Sequence, residues 1–202
     1  MRRLLSIVFI VMIFNTMAIA QSSYENLSRT KIDTDQLPIR DVRKTAVWFN
    51  TGWNALTGFG VALSFYPVPK IALDGGIGLS SVGVKMSARG RYLFSVKNFS
   101  PFVGLGYLNG FGSNLDIEMK DTFNNNEPYK LKIDNSPYIQ ITGGFEYMAK
   151  KGFFTMFNIG YSILLTENYH ITSGNPSLDT KRVLDATYGS GIVIEGGIGY
   201  AF

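Results

Sequence analysis

The sequence predicts an all-β protein, a transmembrane antiparallel up-and-down β-barrel of about eight strands. Two observations carry this prediction. Apolar and small residues alternate with a period of two over eight segments after residue 44, which is typical of strands with two unlike faces. The segments are also joined by connections whose lengths follow the pattern of a membrane barrel, short at one end and longer at the other.

The first twenty residues have the layout of a secretory signal peptide. Arg2 and Arg3 form a basic start, an apolar run covers 4–14, and Ala18 and Ala20 form a small-x-small cleavage signal. An uncleaved membrane anchor is the alternative. It is disfavoured because two polar residues interrupt a run that is already shorter than the roughly twenty residues a span requires. We therefore expect export through the Sec machinery, with residues 1–20 removed.

The mature chain starts with a polar segment, 21–43, of mixed charge and no sustained periodicity. We interpret it as an N-terminal periplasmic segment, either a tail or a plug-like extension. A disordered leader is the alternative, because chain termini are often poorly ordered. The barrel itself is expected over 44–202.

The eight predicted strands have one aliphatic and aromatic face and one face of Gly, Ala, Ser, Asn, Gln and a few charges. Segment 137–147 is the most regular, and segment 45–53 the least, because Trp48 interrupts its alternation. Small residues suit the interior of a narrow barrel, which has space only for side chains. Lengths near ten residues suit a tilted strand that crosses the hydrocarbon core. The segments are 45–53, 57–66, 71–79, 83–95, 100–110, 137–147, 153–165 and 190–202.

Charged residues provide a test of which face points inward. If segment 83–95 were reversed, its three basic residues would face lipid, at a cost of about 2–4 kcal/mol each near the midplane. Facing inward, they can pair with acids on the same inner face. We therefore predict a lumenal ion-pair network that plugs the barrel, with inner charges solvated by trapped water as the alternative. Its members are Asp74, Lys85, Arg89, Arg91, Glu146 and Glu195.

The connections predict the orientation. Those at 67–70, 95–99 and 148–152 are short, whereas 111–136 and 166–189 are long. Outer-membrane barrels have short periplasmic turns and longer external loops, so the two long connections are expected outside the cell. Aromatic residues near the short turns are expected to form the periplasmic-side girdle: Phe65, Tyr66, Phe94, Phe102, Tyr138, Tyr147 and Phe153.

The C-terminus carries a family resemblance. Ile194, Gly196, Ile198 and Tyr200 alternate up to a terminal Phe202, which resembles the C-terminal β-signal that the outer-membrane assembly machinery recognises. The region 44–202 looks like the small outer-membrane barrels of the OmpX and OmpA-barrel type. The run SPFVGLGY at 100–107 is similar to the porin-like "outer membrane protein β-barrel" group. The resemblance implies the fold, a location in the outer membrane among lipid and lipopolysaccharide, and an assembly partner, but no substrate.

No enzyme site or cofactor is predicted. The chain has no Cys, which excludes disulfides, zinc–thiolate sites and thiol catalysis. His170 is the only histidine; it could serve as a general base, but a solvated loop histidine is favoured because no acid is placed to orient it by spacing. The oxygen donors in 111–136 lack the spacing of a calcium loop, and a solvated loop is favoured there too. The formal charge of +4 is too weak to favour nucleic acid as a partner.

Four functions remain open at this point. A monomeric structural or surface-interaction barrel, with a plugged lumen and two long external loops, is favoured. A small porin-like channel is the first alternative, disfavoured because aqueous channels have about sixteen strands. A soluble periplasmic lipocalin-like barrel is the second, and it would require the apolar face to point inward. An outer-membrane enzyme is disfavoured because no site supports it.

Overall fold

The computed structural model describes residues 37–112, 116–124 and 127–202. The predicted signal peptide, with Ala18 and Ala20, and most of the polar segment 21–43 lie outside the described residues. Eleven strands and two helices are present there. In chain order they are α1 Ile39–Val42, β1 Thr45–Trp53, β2 Phe59–Val68, β3 Ile71–Ser80, β4 Gly83–Leu93, β5 Phe99–Phe111, β6 Ile117–Asp121, β7 Glu127–Ile133, β8 Ser136–Met148, β9 Phe153–Leu164, β10 Tyr169–Ser173, α2 Leu178–Tyr188 and β11 Gly191–Ala201.

Eight of the strands form a closed antiparallel barrel in the order β1-β11-β9-β8-β5-β4-β3-β2. The eight barrel strands neighbour one another in chain order, with β6, β7 and β10 lying in the connections between them. Pairing of the first barrel strand with the last, for example Phe49 with Ile198, closes the barrel. This confirms the predicted fold class, because closure satisfies every strand edge internally, as a barrel surrounded by lipid requires. Among the described residues, no helix is long and apolar enough to cross a membrane.

The outer surface of the barrel is apolar. Residues of the predicted aliphatic and aromatic face are exposed on all eight barrel strands, for example Leu79 at 62% and Val47 at 41%. The polar and small face points into the lumen, so the predicted register is correct. The lipocalin-like alternative required the opposite arrangement.

Glycine is required where neighbouring strands approach most closely inside the barrel. A Cβ atom on Gly78 would lie 2.5 Å from the carbonyl oxygen of Phe59 and 2.8 Å from the Cα of Gly60. A Cβ atom on Gly144 would lie 2.1 Å from the carbonyl oxygen of Phe157. These distances are well below van der Waals contact, so the small inner face allows the strands to coil tightly.

Aromatic rings also lie inside the lumen. Trp48 interrupts the alternation of β1 because its ring points inward, packs against Phe154 at 5.9 Å and donates from Nε1 to Ser64 Oγ at 2.9 Å. The predicted girdle is therefore wrong for Tyr66, Phe102 and Tyr138, which are buried in the interior. They share the strand parity of the lumenal face, and parity decides the direction of a side chain. The other four predicted girdle residues are exposed on the exterior: Phe65, Phe94, Tyr147 and Phe153.

The two long connections contain regular structure of their own. Strands β6, β7 and β10 form a three-stranded antiparallel sheet in the order β10-β7-β6, and we call this sheet with α2 the outer subdomain. Its core packs Leu131 and Ile133 of the sheet against Leu184 of α2 and Val82 of the β3–β4 turn. Tyr138 of β8 donates to the carbonyl oxygen of Tyr188 at 2.6 Å, which ties α2 to the barrel.

Candidate functional site

The six residues predicted for the lumen all lie inside the barrel, and none is more than 4% exposed. The structure brings five of them into one network of ion pairs. They come from four different strands, β3, β4, β8 and β11, because alternation directs each side chain to the same interior.

Asp74 is the centre of the network. Its carboxylate accepts from Arg91 at 2.7 Å (Nε to Oδ2) and 2.9 Å (Nη2 to Oδ1), a bidentate geometry that gives strong and directional pairing. Arg89 Nε donates to the same Oδ2 at 3.0 Å, and Ser64 Oγ donates to Oδ1 at 2.8 Å. One carboxylate therefore holds two guanidinium groups side by side.

Glu146 extends the network toward the short-turn end of the barrel, which we call the base. It pairs with Arg91 and accepts from the Tyr66 hydroxyl at 3.0 Å. Arg40 of α1 donates from Nε to Glu146 Oε1 at 2.6 Å and from Nη1 to the carbonyl oxygen of Lys97 in the β4–β5 turn at 2.9 Å. The side chain of Arg40 is fully buried, so it closes the base of the lumen.

Sequence reasoning missed Arg40 because it placed the barrel at 44–202 and treated 21–43 as a separate polar segment. The structure makes the last part of that segment a component of the lumen. The three predicted inner acids were already matched by three predicted inner bases, so no deficit of positive charge pointed to Arg40. Its position relative to the strands could not be deduced, because a segment without periodicity gives no register.

Glu195 extends the network toward the opposite end, which we call the outer mouth. It accepts from both terminal nitrogens of Arg89 at 3.3 Å, from Asn50 at 3.1 Å and from the backbone N–H of Leu56 at 3.0 Å. The last contact is possible because the β1–β2 connection folds into the mouth. Its residues 55–57 are fully buried, so this connection covers the lumen from above.

Lys85 is inside the barrel but outside the ion-pair network. Its Nζ donates to the carbonyl oxygen of Ala55 at 3.1 Å and lies 5.8 Å from the centre of the Tyr138 ring. Among the described residues, no carboxylate lies within 4.0 Å of it. The described lumen thus holds three acids against four bases, since Arg40 adds one base to the three predicted from the sequence.

Each buried guanidinium also lies over an aromatic ring. Arg91 is 4.9 Å from the Phe102 ring, and Arg89 is 5.9 Å from the Trp48 ring. Cation–π contacts of this kind are worth about 2 kcal/mol when desolvated. The inward-pointing aromatic rings thus add cation–π contacts to the same arginines that form the ion pairs.

The remaining candidates lie on or near the outer subdomain. His170 in β10 is exposed and lies 3.1 Å from Asp134 (Nε2 to Oδ2), so an acid that the sequence spacing did not indicate does contact it. Asp121 accepts from the backbone N–H of Ser177 at 2.5 Å and from the hydroxyl of Thr180 at 2.5 Å, which joins the end of β6 to the start of α2. Within the described ranges, no group of three potential metal ligands is found.

Burial acts to raise the pKa of Asp121, but hydrogen bonds from Ser177, Thr180 and Phe123 outweigh it and lower this pKa to about 2. Hydrogen bonds donated to a carboxylate stabilise its charged form. Asp121 therefore serves as a charged clasp at the N-terminus of α2, where the helix dipole also favours a negative charge.

The residues of the predicted C-terminal assembly signal lie on β11 and at the chain end. Their side chains are all exposed on the outer surface of the barrel, while the backbone N–H of Phe202 donates to the carbonyl oxygen of Thr45 at 2.7 Å. The four residues are Ile194, Ile198, Tyr200 and Phe202.

No protein-family model matches the chain, and no curated protein matches it. Among solved structures, the N-terminal β-barrel domain of Pseudomonas aeruginosa OprF is similar at 14% identity and a TM-score of 0.45, covering 79% of this chain and 98% of that one. Acinetobacter baumannii CarO is similar at 14% identity and a TM-score of 0.38, covering 78% of this chain and 96% of that one. The architecture of the chain itself, a closed eight-stranded barrel with an apolar exterior, is that of an outer-membrane-type β-barrel.

Proposed function

We propose that this chain is an integral outer-membrane barrel with a plugged lumen, which anchors the outer subdomain at the cell surface in a structural or surface-interaction role without catalysis. One observation carries the proposal. A continuous chain of hydrogen-bonded charges runs from the base to the mouth in the order Arg40, Glu146, Arg91, Asp74, Arg89 and Glu195. Such a filled interior favours an anchor over a conduit.

The energetics of the network favour a permanent plug. Arg40, Arg89 and Arg91 are fully buried, and each is paired with a carboxylate. Removing one partner from a buried pair typically costs about 3–5 kcal/mol, because it leaves an uncompensated charge in a medium of low dielectric constant. Thermal opening of a path wide enough for solutes would break several such pairs together, so opening is expected to be rare.

The environment of the barrel is inferred from the chemistry of its outer surface. The apolar exterior fits lipid, and its upper rim would contact lipopolysaccharide. The alternating C-terminal residues would be recognised by the outer-membrane assembly machinery after Sec export. Closure leaves no free strand edge in the barrel, so the barrel needs no second copy to be complete, and we propose that it is a monomer.

Planar bilayer recording tests the plug. Purified refolded protein is expected to give no steady conductance, whereas Arg40→Ala, which removes the base seal, is expected to give brief openings. Arg43→Ala is the matched control, because Arg43 lies at the same end but donates to the backbone carbonyls of Lys150 and Ala201 outside the lumen. A heat-dependent shift in SDS gels verifies that each variant is folded. Steady conductance by the unmodified protein would instead support the porin-like channel.

A further inference from the structure

We propose that a cavity at the outer mouth binds a small organic anion, with its carboxylate at the ammonium group of Lys85. The cavity has a volume of about 280 Å³ and is open on one side. It lies between the ends of β1 and β2, the β3–β4 turn and α2, and Lys85 and Tyr138 are part of its wall. The volume is at the small end of the range for ligand pockets, so a ligand of one ring or a short chain is expected.

The charge of the lumen supports an anionic ligand. Four basic residues are buried in the described interior, Arg40, Lys85, Arg89 and Arg91, against three acids. Each of these three arginines has a carboxylate within 3.3 Å, and the unbalanced positive charge is therefore at Lys85. An ionisable side chain inside a membrane protein is expensive without a partner and usually marks a functional site.

The protein's own acids cannot supply that partner. Glu195 is the nearby carboxylate whose charge acts on Lys85, but both of its oxygens are already engaged by Arg89, and they also accept from Asn50 and the Leu56 N–H. Lys85 Nζ makes one hydrogen bond to a carbonyl oxygen, although an ammonium group has three donors. A carboxylate entering from the cavity would accept from the remaining donors.

The rest of the wall suits an organic rather than an inorganic anion. Val82 and the Tyr138 ring supply buried apolar surface, and Trp53, which is more than half exposed, also borders the cavity. Ser80, Ser81 and Thr187 supply hydroxyl groups around the entrance. A cavity with apolar walls and a few convergent polar groups is the usual form of a small-molecule site.

Ligand-observed fluorine NMR on the refolded full chain in an uncharged detergent tests this site. The probe is 4-fluorobenzoate, and 4-fluorobenzamide is its uncharged control. We expect the unmodified protein to broaden the benzoate resonance and to leave the benzamide resonance sharp. Lys85→Gln is expected to weaken benzoate binding at least about tenfold, in keeping with the value of a hydrogen bond to a charged group.

Two further variants make the outcome specific. Lys85→Arg keeps the charge and is expected to retain benzoate binding, whereas Lys181→Gln removes a lysine elsewhere on the outer surface and should change nothing. The heat-dependent gel shift verifies folding of every variant. Equal binding of benzamide and benzoate, equal binding by Lys85→Gln, or no binding by the unmodified protein would each overturn the proposal. The plug is measured separately by conductance, so failure of this site leaves the proposed anchor role untouched.

Discussion

At the scale of single residues, Asp74 has the largest expected effect on stability. Replacing it with Asn keeps the shape and the contact with Ser64 but leaves Arg89 and Arg91 without the carboxylate they share. We expect Asp74→Asn to lower the free energy of unfolding by about 3–5 kcal/mol, the usual cost of removing one partner from a buried pair. Urea unfolding of the refolded barrel measures this change.

The matched control for Asp74 is another ion pair in which both partners are in solvent. Glu118 lies 3.4 Å from Lys130, and both side chains are exposed. Exposed pairs contribute about 0–1 kcal/mol, so Glu118→Gln should leave the unfolding curve nearly unchanged. If Asp74→Asn also left the unfolding curve nearly unchanged, the ion-pair network would contribute little to stability.

Asp121 makes the outer subdomain sensitive to acid. Its pKa is lowered to about 2 in the folded protein, below the ordinary value of about 3.9 for an unfolded chain. The stabilisation is therefore complete above about pH 4 and is lost as the pH falls toward 2. We expect pepsin to cleave the 166–189 connection increasingly fast over this range.

Asp121→Asn is expected to remove most of that pH dependence, since the amide cannot carry the charge that Ser177 and Thr180 stabilise. The variant should already be cleaved quickly at pH 4. Asp179→Asn is the control, because Asp179 lies in the first turn of α2 but is exposed, and its ion pair among the described residues is with Arg182. Protection of Asp121→Asn at pH 4 equal to that of the unmodified chain would contradict the role of the clasp.

At the scale of elements, the barrel strands could be predicted and the outer subdomain could not. Predicted and observed strands agree within a few residues, for example 71–79 against Ile71–Ser80, because the two faces have very different chemistry. The helix α2 was missed, since Leu178, Val183 and Leu184 give only a short apolar pattern in a polar segment. The pairing of β10 with β7 joins parts of the chain far apart in sequence, and a five-residue strand such as β10 carries no signal for such a partner.

The candidate site could likewise be predicted only in part. The inward direction of Asp74, Arg89 and Glu195 followed from strand parity alone, because a period of two fixes the face. The identity of partners did not follow, since it depends on the stagger between strands around the barrel. Lys85 illustrates the difference: its face was correctly predicted, but it lies near Ala55 of the β1–β2 connection and not beside an acid.

The last strand, β11, provides a test of assembly that is separate from stability. We expect Phe202→Ala to reduce the amount of barrel recovered in the outer membrane, because the exposed ring of Phe202 is available to the assembly machinery. Refolding of the purified variant in detergent should remain normal, since the backbone contact of Phe202 with Thr45 is retained. Phe153→Ala is the control: Phe153 is a similarly exposed aromatic residue, which pairs with Tyr200 on the neighbouring strand. Equal recovery of Phe202→Ala and the unmodified chain would argue against an assembly signal at this position.

At the scale of the whole molecule, charge is separated between the two ends. The described residues at the base include seven basic side chains and one acid, Asp41, whereas the connections 111–136 and 166–189 contain five basic and eight acidic residues. Each short turn contributes at least one lysine, and another precedes β1, so the positive charge surrounds the base. Its exposed members include Lys44, Lys70, Lys97 and Lys151, one from the segment before β1 and one from each short turn.

This ring of lysines is expected to make the stability of the barrel depend on lipid charge. A lysine near an anionic membrane surface contributes about 1 kcal/mol, so adding phosphatidylglycerol to phosphatidylcholine vesicles should stabilise the protein by up to about 4 kcal/mol at low salt. Changing Lys44, Lys70, Lys97 and Lys151 to Gln should remove most of this gain. Changing Lys120, Lys130, Lys132 and Lys181 on the outer subdomain removes the same number of charges and should not reduce it. Salt at about 1 M, where the screening length is only about 3 Å, should reduce the gain in the unmodified protein. A gain that survives both the base substitutions and the salt would show that the lipid acts through some property other than charge.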